Sequence, residues 1–164
     1  MRLEEFNALP ETEARERLAA CLDVPRWVDT VLEGRPYGDL GALRTVASSA
    51  NELDDAELER ALARHPRIGE RAGGGHDAAF SAREQAGVDP ADGDVARRIA
   101  AGNAAYEERF DRVFLIRASG RTGPQILAEL ERRLGNDDET EREETVRQLS
   151  EIALHRLEQL VGPE

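Results

Sequence analysis

What this chain lacks narrows its chemistry before any motif is considered. It has no lysine, so all 22 basic side chains are arginine, set against 34 acids for a formal net charge of −12. That balance gives no electrostatic support to phosphate-backbone binding and argues against nucleic acid as a partner. The single cysteine, Cys21, excludes an internal disulfide and a cysteine-rich metal knuckle, and within "ERLAACL" it reads as a small buried apolar residue. Aromatic residues make up only 4%, so the core must rest on Leu, Ala, Val and Ile, which favours helices over sheets. No apolar run approaches the roughly 20 residues that span a bilayer. The opening "MRLEEFNALPE" is acidic where a signal peptide would be basic and then apolar, so a soluble, cytoplasmic protein without a membrane partner is expected. Walker, dinucleotide and nucleophile-elbow motifs are absent from the sequence, and His65 and His76 lack the i, i+4 spacing of a zinc-protease helix, so no metal or other cofactor is expected.

What is present is helical periodicity. The 164 residues suit one domain, 1–164. Ala14, Leu18, Cys21 and Leu22 share a face after Pro10, and Trp27, Val28, Val31 and Leu32 share another between Pro25 and Gly34. Asp39 caps a third run through Leu40, Leu43, Val46, Ala47 and Ala50, and Asp54 or Asp55 caps a fourth through Leu53, Leu58, Ala61 and Leu62. A short helix is expected within "HDAAFSAREQAGV", then a longer one bearing Val95, Ile99, Tyr106 and Phe110. Ile126, Leu127, Leu130 and Leu134 mark the next, and Val146, Leu149, Ile152, Ala153, Leu157 and Leu160 the last. The fold class is therefore all-α, a single-domain bundle of about eight helices. "VFLIRA", residues 113–118, is ambiguous, because a buried helix end and an extended segment look alike at that length.

Three histidines are candidates for chemistry. His155 lies mid-helix beside the core stripe, where a structural or surface role is the ordinary one, and His76 follows three glycines in a capping or loop setting. His65 differs: Pro66 holds it at a helix end, where exposed carbonyls favour a cation, and a glycine-rich loop follows that is able to approach a ligand. A helix-end histidine without chemistry remains an equal reading of the same residues. In "SAREQ", Ser81, Glu84 and Gln85 fall at i, i+3 and i+4 and so face one direction, either a pocket or solvent.

Taken together, "FNALP", "GRPY", "HPRIG", "SAREQAGV", "FLIRASGRT", "GNDDETE" and "EIALHRL" occur in an order and at spacings that resemble the OHCU decarboxylases. That family converts 2-oxo-4-hydroxy-4-carboxy-5-ureidoimidazoline (OHCU) to (S)-allantoin and carbon dioxide in urate breakdown. The resemblance implies an all-α bundle, usually a homodimer, that uses no cofactor. It implies His65 as the catalytic proton donor with Glu84 as its catalytic partner, and Pro66 as a pocket neighbour. It further implies that Ser81, Ala82, Arg83, Glu84 and Gln85 bind substrate, and that the backbone of Phe114, Leu115, Ile116, Arg117 and Ala118 lines the pocket. A ligand rich in urea-like groups needs free backbone N–H and C=O partners, so residues 113–118 should not be regular helix throughout. Arg117 departs from the small residue, such as Cys, that many relatives carry there. An anionic ureidoimidazoline substrate entering an acidic protein needs local arginines, for which Arg67, Arg83 and Arg121 are candidates. Two other readings remain: a helical protein-interaction module, which leaves the spacing of His65-Pro66 and "SAREQ" without a reason, and a paralogue acting on another ureido or hydantoin-like acid.

Overall fold

A computed structural model describes residues 1–49, 52–69, 84 and 93–162. Among these the protein is all-α, with no strand, as the periodicity predicts. Its helices are α1 (Leu3–Ala8), α2 (Glu11–Cys21), α3 (Pro25–Glu33), α4 (Leu40–Ala47), α5 (Asp55–Ala63), α6 (Gly93–Phe110), α7 (Gly123–Arg133) and α8 (Asp138–Leu160). The segment "HDAAFSAREQAGV", expected to hold a further helix, lies outside the described residues except for Glu84, whose backbone is helical.

Helix starts follow the expected chemistry. Pro25, whose fixed φ suits a first turn, opens α3, and the Asp39 carboxylate accepts from the Ala42 N–H at 2.8 Å to cap α4. Asp54 and Glu57 cap α5 reciprocally, the Glu57 N–H donating to Asp54 at 2.8 Å and the Asp54 N–H to Glu57 at 3.1 Å. Thr122 and Gln125 repeat that exchange at the start of α7.

The chain forms two compact units, one of residues Met1–Ala61 with Leu149–Glu164, the other Leu62–Gln148. The first buries Phe6, Leu18, Cys21, Trp27, Val31, Leu43 and Leu157. Its polar ring tips meet neutral main-chain acceptors: the Trp27 indole N–H donates to the Ala47 carbonyl at 2.9 Å, and the Tyr37 hydroxyl to that of Val31 at 2.6 Å. His155 sits on α8 in this unit, its Nε2 2.9 Å from Gln159 Nε2.

The second unit is organised around α6 and α7. Gly102, in mid-helix, lets the two approach closely: a Cβ there would lie 2.5 Å from Leu130 Cδ2. The helix α6 ends where Asp111 takes a left-handed conformation, φ 54°, which Asp tolerates better than most residues. The chain then leaves the helix, and residues 113–118 carry no regular secondary structure before a turn at Gly120, φ 78°. Phe114, Ile116 and Ala118 join Ile68, Ile99, Tyr106, Phe110, Ile126, Leu127 and Leu130 in one buried cluster. Membership of every second residue is the signature of an extended segment.

Candidate active site

The site residues that the resemblance implies and that lie within the described chain all belong to the second unit, whereas His155 lies in the first. His65 follows the end of α5, its backbone N–H donating to the Leu62 carbonyl at 3.0 Å, and both it and Pro66 are half-buried. The proline prevents the helix from continuing through His65, so the ring is delivered at a helix end, as the dipeptide predicts. Arg67, next along, is exposed and ion-paired. Its Nε lies 2.5 Å from Glu107 Oε1 and its Nη2 3.3 Å from Oε2, a two-pronged pair that pins the turn to α6. Ile68 then enters the buried cluster, and its carbonyl accepts from Asn103 Nδ2 at 3.3 Å.

This brings two of the three candidate segments together, because the cluster that receives Ile68 also receives Phe114, Ile116 and Ala118. Leu115 is buried outside that cluster, and Arg117 is half-exposed. Glu84 is buried at 8% exposure, whereas Ser81, Ala82, Arg83 and Gln85 lie outside the described residues.

Side chains hold the extended segment from one edge, and the Ala118 carbonyl at its end accepts from the Arg121 N–H at 3.0 Å. The Leu115 carbonyl accepts from Arg133 Nη1 at 2.6 Å, the Arg117 N–H donates to Gln148 Oε1 at 2.8 Å, and the Arg117 carbonyl accepts from Arg121 Nε at 3.1 Å. Among the described residues, the N–H and carbonyl of Ile116 meet no hydrogen-bond partner, although Ile116 is 3% exposed. Buried main-chain groups in that state are uncommon and suit a ligand that completes them.

Arg117 and Arg121 line an open cleft of about 540 Å³ together with Gln125 and Glu129. The Glu129 carboxyl is held below the ordinary carboxylate range, first by its hydrogen bond from Arg132, with Arg121 adding a coulombic contribution. Arg117 thus reaches a charged surface cleft, while Ile116 beside it is in the core.

Behind the segment lies a buried polar network that the sequence reading missed. Glu141 is fully buried and accepts from Arg133 Nε at 2.8 Å and Nη2 at 2.5 Å, from the Tyr106 hydroxyl at 2.5 Å and from Asn136 Nδ2 at 3.0 Å. Burial first, then the bond to Glu141, pushes the Tyr106 phenol up to about 12. The available signal was polar residues in apolar stripes: Asn103 between Ile99 and Tyr106, and Glu141 and Thr145 leading into Leu149 and Ile152. Among the described residues, no group of three or more His, Cys, Asp or Glu is arranged to hold a metal ion, and no helix is long and apolar enough to cross a membrane.

Comparison with known proteins adds a family. The sequence model of the OHCU decarboxylases matches residues 7–158. A uric acid degradation bifunctional protein of Bacillus sp. (strain TB-90) is 24% identical over 98% of this chain, which spans only 32% of that protein's length. A crystal structure of OHCU decarboxylase in the presence of (S)-allantoin matches with a TM-score of 0.70 at 22% identity, covering 87% of this chain and 94% of that one. A crystal structure of (S)-allantoin synthase matches with a TM-score of 0.69 at 17% identity, covering 98% of this chain and 54% of that one.

Proposed function

The chain belongs to the OHCU decarboxylase family, and from that premise we propose that it converts OHCU to (S)-allantoin and carbon dioxide with stereospecific protonation. The observation that carries this reading is the meeting of the His65–Ile68 turn with the extended segment 114–118 around one buried cluster, where Ile116 offers an unpaired amide and carbonyl. A ureido group, alternating N–H and C=O, is complementary to such an edge.

In the proposed reaction the bond from the ring carbon to the carboxylate breaks, carbon dioxide leaves, and the electron pair passes into the adjacent ring C=N. The resulting enediol-like intermediate becomes allantoin when a proton reaches one face of the adjacent, ureido-bearing carbon to form the C–H bond, while the ring hydroxyl loses its proton and becomes the carbonyl. The substrate thus supplies its own electron sink, and the protein's part is alignment, stabilisation of the enediol-like intermediate, and proton delivery. In this proposal His65 is the proton donor, and Glu84 either fixes the His65 tautomer or accepts the substrate hydroxyl proton. Pro66 and the 81–85 segment complete the pocket wall in this proposal. The same premise extends it to a single helical domain over 1–164, working without a cofactor, as a homodimer and in the cytoplasm.

The test is to add purified protein to freshly generated OHCU and follow optical activity, since uncatalysed decay gives racemic allantoin. Rapid appearance of the (S) enantiomer supports the proposal. Racemic product at the uncatalysed rate overturns it, and turnover of a different ureido or hydantoin-like acid would replace OHCU as the substrate.

A further inference from the structure

We propose that Arg133 and Gln148 are positioning residues for substrate binding: they occupy one edge of the extended segment 114–118 and thereby present its other edge, at Ile116, to the ligand. The proposal rests on the reading that this backbone binds substrate. In an extended chain the N–H and C=O of one residue point to one side and those of the next residue to the other. The three bonds that side chains make to the segment obey that alternation, all falling on residues 115 and 117: Arg133 to the Leu115 carbonyl, Gln148 from the Arg117 N–H, and Arg121 to the Arg117 carbonyl. On the other edge the Ala118 carbonyl closes the following turn by accepting from the Arg121 N–H at 3.0 Å, and the N–H and carbonyl of Ile116 are left open among the described residues.

Arg133 is itself held rigidly. Its guanidinium is 1% exposed, lies 4.6 Å from the centroid of the Phe114 ring, and spends two of its nitrogens on Glu141, with Thr145 Oγ1 3.4 Å from Nη2. Only Nη1 is directed to the Leu115 carbonyl. Glu141, Thr145 and Gln148 stand at i, i+4 and i+7 on α8, so one helix face sets both contacts. A helix face tied to α7 through Arg133 thus fixes the height and register of the segment, much as a neighbouring strand would.

Gln148 allows a surgical test, because it is half-buried and outside the Arg133–Glu141 ion pair. Gln148→Met keeps the length and removes the acceptor; Gln148→Glu keeps an oxygen in its place. With OHCU as substrate, Gln148→Met should raise KM about tenfold, the scale of one well-aligned hydrogen bond, with the melting temperature little changed. Gln148→Glu should restore KM to near the wild-type value, a rescue that a merely structural role would not produce. Wild-type KM in a folded Gln148→Met variant overturns the proposal, as does equal damage in both variants. If the wild-type protein does not turn over OHCU, the reaction assigned above fails instead. Amide shifts of residues 115–118 then decide the clamp: displacement in Gln148→Met and recovery in Gln148→Glu support it, and an unmoved segment overturns it.

Discussion

The two compact units satisfy their buried polar groups with different partners. In the unit of residues Met1–Ala61 with Leu149–Glu164, the ring tips of Trp27 and Tyr37 and one nitrogen of the buried Arg156 guanidinium end on carbonyls of the helical backbone. In the unit Leu62–Gln148, Tyr106 ends on the carboxylate of Glu141, which is also paired with Arg133. The difference follows from what each interior must hold. Helices satisfy their own backbone, so the tips of a few side chains suffice as polar loose ends. A non-helical segment inside a core exposes main-chain groups that need outside partners, and long, fixed side chains supply them.

The comparison breaks if the ion pair is dispensable. Arg133→Met leaves Glu141 buried and uncompensated and should cost about 3–5 kcal/mol in denaturant unfolding, with part of the loss recovered when Glu141 is replaced by Leu as well. In the other unit, Arg44→Ala removes an ion pair with Glu158 whose partners are 60% and 43% exposed, and should cost less than about 1 kcal/mol. Equal losses would show that burial does not set the worth of the Arg133–Glu141 pair.

Alkaline pH sharpens the same contrast more gently. Tyr106 keeps its proton in the folded chain up to about pH 12, whereas an unfolded tyrosine loses it near its ordinary value of 10.0. The stabilisation is therefore complete below about pH 10 and is lost as pH rises toward 12, a decline of roughly 2–3 kcal/mol from this group. Tyr106→Phe should flatten that part of the stability curve. Burial also raises the Tyr37 phenol, but Arg35 opposes the rise, so Tyr37→Phe should flatten the curve less. A larger effect at Tyr37 would contradict the contrast.

The helices were legible because each of the longer ones repeats apolar residues at helical spacing, as in Ile126, Leu127, Leu130 and Leu134. The helix α1 was not, since six residues with only Phe6 buried give no period to read. The segment "VFLIRA" could not be assigned by period either, and its non-helical conformation was expected only from the chemistry of the ligand that the resemblance implied. The Arg133 clamp was hidden for a different reason. Arg132 and Arg133 are the same residue type side by side, yet one is an exposed partner of Glu129 and Glu144 and the other is buried on Glu141. Only the rotation of α7 against its neighbours separates them, and composition carries no trace of it. The turn at His65-Pro66 was legible because a proline dictates its predecessor's backbone locally.

Optical purity of the allantoin formed by His65→Asn decides whether His65 delivers the proton. Asparagine keeps a polar side chain at the turn but cannot titrate as a proton donor. If His65 is the donor, the variant folds, its chemical step falls by about 10²–10⁴-fold, and its residual product drifts to racemic as water delivers the proton. A folded variant that makes pure (S)-allantoin at near the wild-type rate would contradict that role and leave His65 as a helix-end residue without chemistry.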